Sequence, residues 1–162
     1  MMKKILFLTL LAGLTLASCS KDENNLVGRW RLDHVNILFK LNGVDKNLQN
    51  EAKTNPGAAA LLSMVQSETG GLVIEFTENK MTIVDPPMVD YVAENGIIYA
   101  IIDGTRQPLF KYHFEGEFLV IFPINLSSFL SDEEYQEMVY GLEAIFGSGV
   151  SDVNLHIYLK KI

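Results

Sequence analysis

Residues 88–124 have the sequence MVDYVAENGIIYAIIDGTRQPLFKYHFEGEFLVIFPI, and the architecture of the chain can be worked out from them. Apolar and polar residues alternate along this stretch, as they do in half-buried strands. Three turn signals interrupt the alternation: Asn95-Gly96, Asp103-Gly104 and Glu115-Gly116. Asn-Gly is the strongest short hairpin signal, because both turn positions need a positive φ. The stretch therefore predicts four antiparallel strands, at residues 88–93, 97–102, 105–114 and 118–124.

Four more segments alternate in the same way, at residues 27–41, 72–76, 81–84 and 153–160. In the first of them the apolar residues change phase near Asp33-His34, which predicts a β-bulge or a sharp bend. Together with the hairpins this makes eight strands. Eight is the number at which a sheet closes into a barrel just wide enough for side chains or one small ligand. We therefore expect a mainly β protein with an eight-stranded antiparallel barrel.

Two helical segments are expected to interrupt the strands. Asn55-Pro56 has the pattern of an N-cap followed by proline in the first turn, and residues 58–66 continue it. A shorter helix is expected within residues 45–54. Ser131 and Glu134 have capping-box spacing, and an apolar stripe follows at helical spacing: Tyr135, Met138, Val139, Leu142, Ile145 and Phe146. The two helices could form lids or a partner-binding face, or they could plug one end of the barrel.

The first 18 residues have the features of a secretory leader. Lys3 and Lys4 precede an apolar run over residues 5–16, which is too short for a permanent membrane span of about 20 residues. Leu16-Ala17-Ser18-Cys19 resembles the lipobox of bacterial lipoproteins, and this resemblance implies cleavage before Cys19 and lipidation of its thiol. We expect a leader over residues 1–18, a lipidated polar tether over 19–25 and one folded domain over 26–162.

The residues after the cysteine suggest a location. Ser20 resembles the residue that directs lipoproteins to the outer membrane rather than the inner one. Ser20-Lys21-Asp22-Glu23 resembles the short acidic export signal of Bacteroidota-type lipoproteins. These resemblances imply a lipid anchor in the outer membrane with the folded domain at the cell surface. The alternative is an anchor that faces the periplasm.

Composition narrows the functions that the folded domain can have. Removal of the leader would leave 144 residues, the size of one domain, with 11 basic and 20 acidic residues and a net charge of −9. Nucleic-acid binding needs clustered Lys and Arg, so this acidity argues against it. The only cysteine is Cys19. Its lipidation would leave no thiol for a disulfide, a nucleophile or a thiolate metal site.

The residues that carry chemistry form no catalytic or metal-binding pattern in the sequence. The three histidines, His34, His113 and His156, do not have the spacing of a metal site. Strand alternation predicts that His113 and His156 face solvent and that His34 lies at the bend. The chain has neither a Gly-x-Ser-x-Gly elbow nor a glycine-rich phosphate loop. We expect no enzyme activity, no cofactor and no metal.

The segment Leu26-Val27-Gly28-Arg29-Trp30-Arg31-Leu32 resembles the opening strand of lipocalin-like domains, in which Gly-x-Trp begins the barrel. Residues 112–120 resemble a late hairpin of the same superfamily, and residues 159–162 resemble the closing strand of its Bacteroidota lipoprotein members. The resemblance covers residues 26–162. It implies a lipocalin-like (calycin) barrel with Trp30 across its closed base. The helical insertion after the first strand is similar to bacterial lipocalin-like domains and differs from compact animal lipocalins.

Two functions follow from these expectations. In the first, the barrel binds a small hydrophobic ligand inside, with methionines as an adaptable part of its lining. The candidate lining residues are Met64, Met88, Tyr99, Phe110, Tyr112 and Met138. In the second, the barrel is filled and serves as a structural or protein-interaction module of the cell envelope, which meets another envelope component through its acidic outer face.

Overall fold

A computed structural model describes residues 23–83, 88–124, 126 and 130–162 of the chain. The strands are β1 (Gly28–Leu41), β2 (Val44–Asn47), β3 (Val73–Phe76), β4 (Lys80–Ile83), β5 (Val89–Glu94), β6 (Ile97–Ile102), β7 (Thr105–Glu115), β8 (Phe118–Pro123) and β9 (Val150–Lys161). The helices are α1 (Glu23–Leu26), α2 (Leu48–Glu51), α3 (Pro56–Glu68) and α4 (Asp132–Phe146). Residues 1–22, which include the predicted leader, Cys19 and part of the predicted tether, lie outside the described residues.

Eight of the strands form a closed antiparallel barrel, as the alternation predicted. Strands β3 to β9 pair in chain order, β3 also pairs with the first residues of β1, and β9 pairs with β1 along most of its length. The predicted turns are present, because Asn95, Gly96, Asp103, Gly104 and Gly116 all have positive φ angles. Such angles match the twist of a two-residue hairpin to that of its strands.

The ninth strand, β2, was missed by the sequence analysis. It pairs with the last residues of β1 through a tight turn at Asn42 and Gly43, with φ angles of 51° and 81°. The expectation of a helix within residues 45–54 was therefore wrong for its first residues, and the helix there is limited to α2. The physical reason is the Asn-Gly pair, which favours a hairpin over a helix start.

The predicted bulge in β1 is confirmed. The pairing of β1 with β9 changes register between Leu32 and His34, so Asp33 has no partner in the ladder. One extra residue reverses the side to which the following side chains point. Trp30 and Leu32 before the bulge, and Val35 after it, therefore all contribute to the hydrophobic core.

The barrel interior is occupied by side chains from all eight of its strands. The inward-facing residues of the eight strands, which in β1 are those after the bulge, are buried. They include Val35, Ile37, Phe39, Ile74, Phe76, Met81, Tyr91, Ala93, Ile98, Ala100, Phe110, Tyr112, Leu119, Ile121, Leu155, Ile157 and Leu159. A barrel of this size can hold its own side chains or one small ligand, and here side chains as large as Phe76, Tyr91 and Phe110 occupy it. Its centre is therefore a packed core.

One end of the barrel, here called the base, is closed around Trp30. The indole Nε1 donates a hydrogen bond of 2.7 Å to the carbonyl oxygen of Leu26, the last residue of α1. Leu26 is fully buried, and the ring of Phe114 lies 6.0 Å from the indole. The Lys161 ammonium lies 5.4 Å from the indole centroid, within the range of a cation–π contact.

The opposite end, here called the distal end, is covered by α3 and α4. Asn55 caps α3 by accepting hydrogen bonds from two backbone N–H groups, and Ser131 and Glu134 form a complete capping box on α4. The two helices meet so closely that a Cβ added at Gly57 would lie 3.3 Å from Ile145. The ring of Phe146 lies 5.2 Å from that of Phe39 inside the barrel. The helices thus close the distal end.

Candidate functional site

The structure does not bring the six candidate lining residues together in one cavity. Phe110 and Tyr112 are buried in the interior, and Met138 packs partly buried against the core. Tyr99 points outward, because it alternates with the buried residues Ile98 and Ala100.

The two remaining candidates are about half exposed. Met64 on α3 is 52% exposed, and Met88, just before β5, is 51% exposed. About half of each side chain therefore faces solvent rather than the interior.

An unusual arrangement of rings lies on the outer surface of the barrel, across β1, β9, β8 and β7. It includes all three histidines of the chain, and it is called the histidine–aromatic band below. Its members are His34, His113, Phe118, Phe122, His156 and Tyr158. These residues point outward because they alternate along their strands with inward-facing core residues such as Leu119 and Ile157.

The half of the band nearer the base is built on one stacked pair. The His34 and Tyr158 rings are nearly parallel, with 4.2 Å between their centroids and an interplanar angle of 14°. The Phe118 ring meets both of them edge-on, at 5.5 Å from His34 and 6.2 Å from Tyr158. The bulge makes this cluster, since it places His34 directly opposite Tyr158 in the ladder.

The other half repeats the arrangement around Phe122. The His156 ring stacks on Phe122 at 4.7 Å and 14°, and the His113 ring meets Phe122 at 6.0 Å with a steep angle. Val120 lies between the two halves, because it pairs with both His113 and Tyr158. Val120 is fully buried although it is not part of the core cluster. The rings of the band therefore form a second, smaller apolar cluster outside the barrel.

Two carboxylates lie close to histidines of the band, and two of its other members have shifted pKa values. His34 Nδ1 lies 2.7 Å from a carboxylate oxygen of Asp33, and His113 lies 3.8 Å from Glu115. Burial, and then the nearby His113, lower the pKa of His156 below its usual 6.5. Burial also raises the pKa of Tyr158, and the nearby Glu115 adds to this effect. The lowered pKa keeps the His156 imidazole uncharged at neutral pH.

Strand alternation predicted that His113 and His156 point outward, but it did not predict their contacts with the Phe122 ring. The alternation of rings at positions 118 and 122 and at 156 and 158 was a visible signal. What could not be seen was which strands lie side by side, since β1 and β9 are at opposite ends of the chain.

Within residues 23–83, 88–124, 126 and 130–162, no group of three or more His, Cys, Asp or Glu side chains is arranged to hold a metal ion. None of the helices in the described part of the chain is long and apolar enough to cross a membrane.

These features define the class of the folded domain: a closed, side-chain-filled antiparallel β-barrel with a histidine-rich aromatic cluster on its outer wall. Comparison with known proteins adds no family to this description, since no protein-family model, no curated protein and no solved structure matches the chain.

Proposed function

We propose that this protein is an outer-membrane lipoprotein with a lipocalin-like barrel, and that it acts as a protein-interaction module of the cell envelope. The observation that carries the proposal is the packed interior. Buried side chains from every barrel strand occupy it, with Trp30 at the base and α3 and α4 at the distal end. A binding function must then use the outer surface, where the histidine–aromatic band is the most distinctive feature.

The same packing argues against a hydrophobic ligand inside the barrel. Pockets for small molecules usually have volumes of about 300–1,000 Å³. Inward-facing residues as large as Phe76, Tyr91 and Phe110 are buried in one core cluster, and the Phe76 and Tyr91 rings lie 5.3 Å apart. Space for a ligand would require several of these rings to move out of a close-packed core.

Two features support the lipocalin-like assignment. Gly28 and Trp30 begin β1 in the Gly-x-Trp pattern, and the indole is buried at the base. The strands then follow one another around the barrel as a simple meander, which is the topology of up-and-down barrels such as lipocalins.

The proposed anchor rests on the leader and on Leu16-Ala17-Ser18-Cys19. The described chain begins with α1 at the base, so an anchor on Cys19 would hold the base towards the membrane. The band on the side wall and the distal end would then remain open to a partner. We place the domain at the cell surface, following the acidic residues after Cys19, with a periplasm-facing anchor as the alternative.

The partner-binding proposal is tested by photo-crosslinking in intact cells. The photoreactive residue p-benzoylphenylalanine replaces Phe122 in the band or, as a matched control, Tyr99, which also points outward and is partly exposed but lies on β6. We expect a discrete cross-linked protein from position 122 alone, and its loss when His156→Ala is added. Equal cross-linking from both positions, or none from position 122, would contradict the proposal.

The anchor is tested separately with a clickable fatty acid. We expect label on the wild-type protein and none on a Cys19→Ala variant, with wild-type protein in the outer-membrane fraction. Protease added to intact cells should digest the domain if it lies at the surface. Protection from the protease would favour the periplasmic orientation, and absence of label from the wild type would refute the anchor.

A further inference from the structure

A depression of about 630 Å³ lies on the outer wall near the distal end, beside the histidine–aromatic band on β9. It is called the polar depression below, and its walls come from β1, β2, α2 and β9. Its principal polar lining residues are Lys40, Asp45, Lys46, Asn47, Asn50, Glu51, Asp152 and Asn154, beside Leu38 and Phe39. Its volume is within the range of small-molecule sites, about 300–1,000 Å³.

Several hydrogen bonds fix the wall formed by α2. The Asn47 side chain caps the helix by accepting from the backbone N–H of Asn50, at 3.1 Å. The Asn36 side chain, only 2% exposed, accepts from the backbone N–H of Gln49, also at 3.1 Å. Asn36 belongs to β1, so this bond attaches α2 to the barrel wall. Hydrogen bonds to the backbone therefore hold the α2 wall of the depression in place against β1.

The charges in the polar depression are largely compensated by pairs between different elements. Lys40 on β1 lies 2.8 Å from Asp152 on β9, and Lys46 on β2 lies 3.1 Å from Glu51 on α2. The hydrogen bond and the charge of Asp152 raise the pKa of Lys40, so the Lys40 ammonium is charged at neutral pH. Asp45 is the remaining carboxylate of the lining. The site as a whole carries little net charge.

We propose that the polar depression binds a neutral saccharide. Sugar hydroxyls both donate and accept hydrogen bonds, and the lining offers both kinds of partner. Carboxylates and amide oxygens accept, while the two ammonium groups and the asparagine NH₂ groups donate. Leu38 supplies an apolar surface for the C–H face of a sugar ring.

Charged ligands fit this lining less well. Three carboxylates of the lining would repel an anion, and the two lysines that would attract it are already paired with carboxylates. The same two ammonium groups would repel a cation. A neutral polyol avoids both repulsions, and it uses the paired groups without separating them. The polar depression and the histidine–aromatic band share no residue, although Asn154 and His156 are successive outward-facing residues of β9.

The test is a printed array of neutral and acidic oligosaccharides, probed with the labelled full chain. The chain is kept in a polyoxyethylene detergent, because detergents with sugar headgroups would compete. The variants are Asp45→Ala and Asn154→Ala, which remove lining groups that cap no helix. The matched control is Gln107→Ala, an exposed strand residue on β7. Circular dichroism of each variant verifies that it is folded.

We expect the wild-type chain to bind one or more neutral oligosaccharides, with a loss of at least tenfold in each depression variant and no change in Gln107→Ala. Absence of neutral glycans among the bound spots would overturn the proposal, as would equal binding by the folded depression variants. Preference for acidic glycans would also refute it. None of these results depends on Cys19 or on Phe122. The saccharide proposal can therefore be refuted while the proposed function stands, and the proposed function can be refuted while the saccharide proposal stands.

Discussion

Enlargement of Ala100 to Phe measures directly whether the barrel is packed or hollow. Ala100 on β6 is 1% exposed and points into the interior, where it pairs with Tyr91 on β5. Extra atoms in a close-packed core force neighbouring side chains out of their rotamers, at a cost of about 1–3 kcal/mol and sometimes more. Because Phe adds a whole ring opposite another ring, we expect Ala100→Phe to destabilise the fold by about 3 kcal/mol.

The assay is thermal and urea unfolding followed by circular dichroism. For a domain of this size 1 kcal/mol corresponds to about 3 °C in Tm, so Tm should fall by about 9 °C. The matched control is Val92→Phe, which also enlarges a residue of the β5–β6 pair but points outward beside Tyr99. It should change Tm by less than about 2 °C, the range of ordinary surface substitutions. A stable Ala100→Phe protein would show that the interior has room for a ligand, and the packed-core argument would be wrong.

Three further predictions concern the histidine–aromatic band and α4. Folding lowers the pKa of His156 below its usual 6.5, so the unfolded chain takes up this proton first and stability should fall as the pH drops below about 6.5. His156→Gln should reduce that loss, measured by urea unfolding from about pH 7.5 to about 5. Gly141→Ala should stabilise the protein by about 0.5–1 kcal/mol, since helical glycine is costly and the new Cβ would meet Leu61 at an ordinary 3.6 Å; a fall in Tm would contradict this. Ser131→Ala removes the capping-box hydroxyl and should cost about 1 kcal/mol in the same unfolding assay.

The eight-stranded barrel could be predicted from the sequence because its signals are local. Strand alternation has a period of two, and Asn95-Gly96 and Asp103-Gly104 fix tight turns through their positive φ angles. The bulge at Asp33 was visible as a change of phase. The extra strand β2 had the same kind of signal in Asn42-Gly43, but its polar residues do not alternate with apolar ones, and this concealed it.

The two outer sites could not be predicted because they depend on pairing between distant parts of the chain. His34 meets Tyr158, and Lys40 meets Asp152, only when β9 closes the barrel against β1. Alternation says which side of a strand a residue lies on, but not which strand is its neighbour. The exposure of a side chain is equally hidden from the sequence: the apolar character of Met64 and Met88 suggested a lining, and the structure leaves both about half exposed.

The bulge at Asp33 links the packed interior to the outer surface. In a regular strand that continued the phase of Trp30 and Leu32, the residues at positions 34, 36 and 38 would point inward, because a shift of one residue exchanges the two faces. The core would then have to bury an imidazole and an amide without water. The extra residue instead turns Val35 inward and His34 outward, opposite Tyr158. It also sends Asn36 out to hold α2, and Leu38 out to line the polar depression. The unpaired Asp33 therefore keeps the interior apolar and places His34, Asn36 and Leu38 on the outer wall, where the two proposals use them.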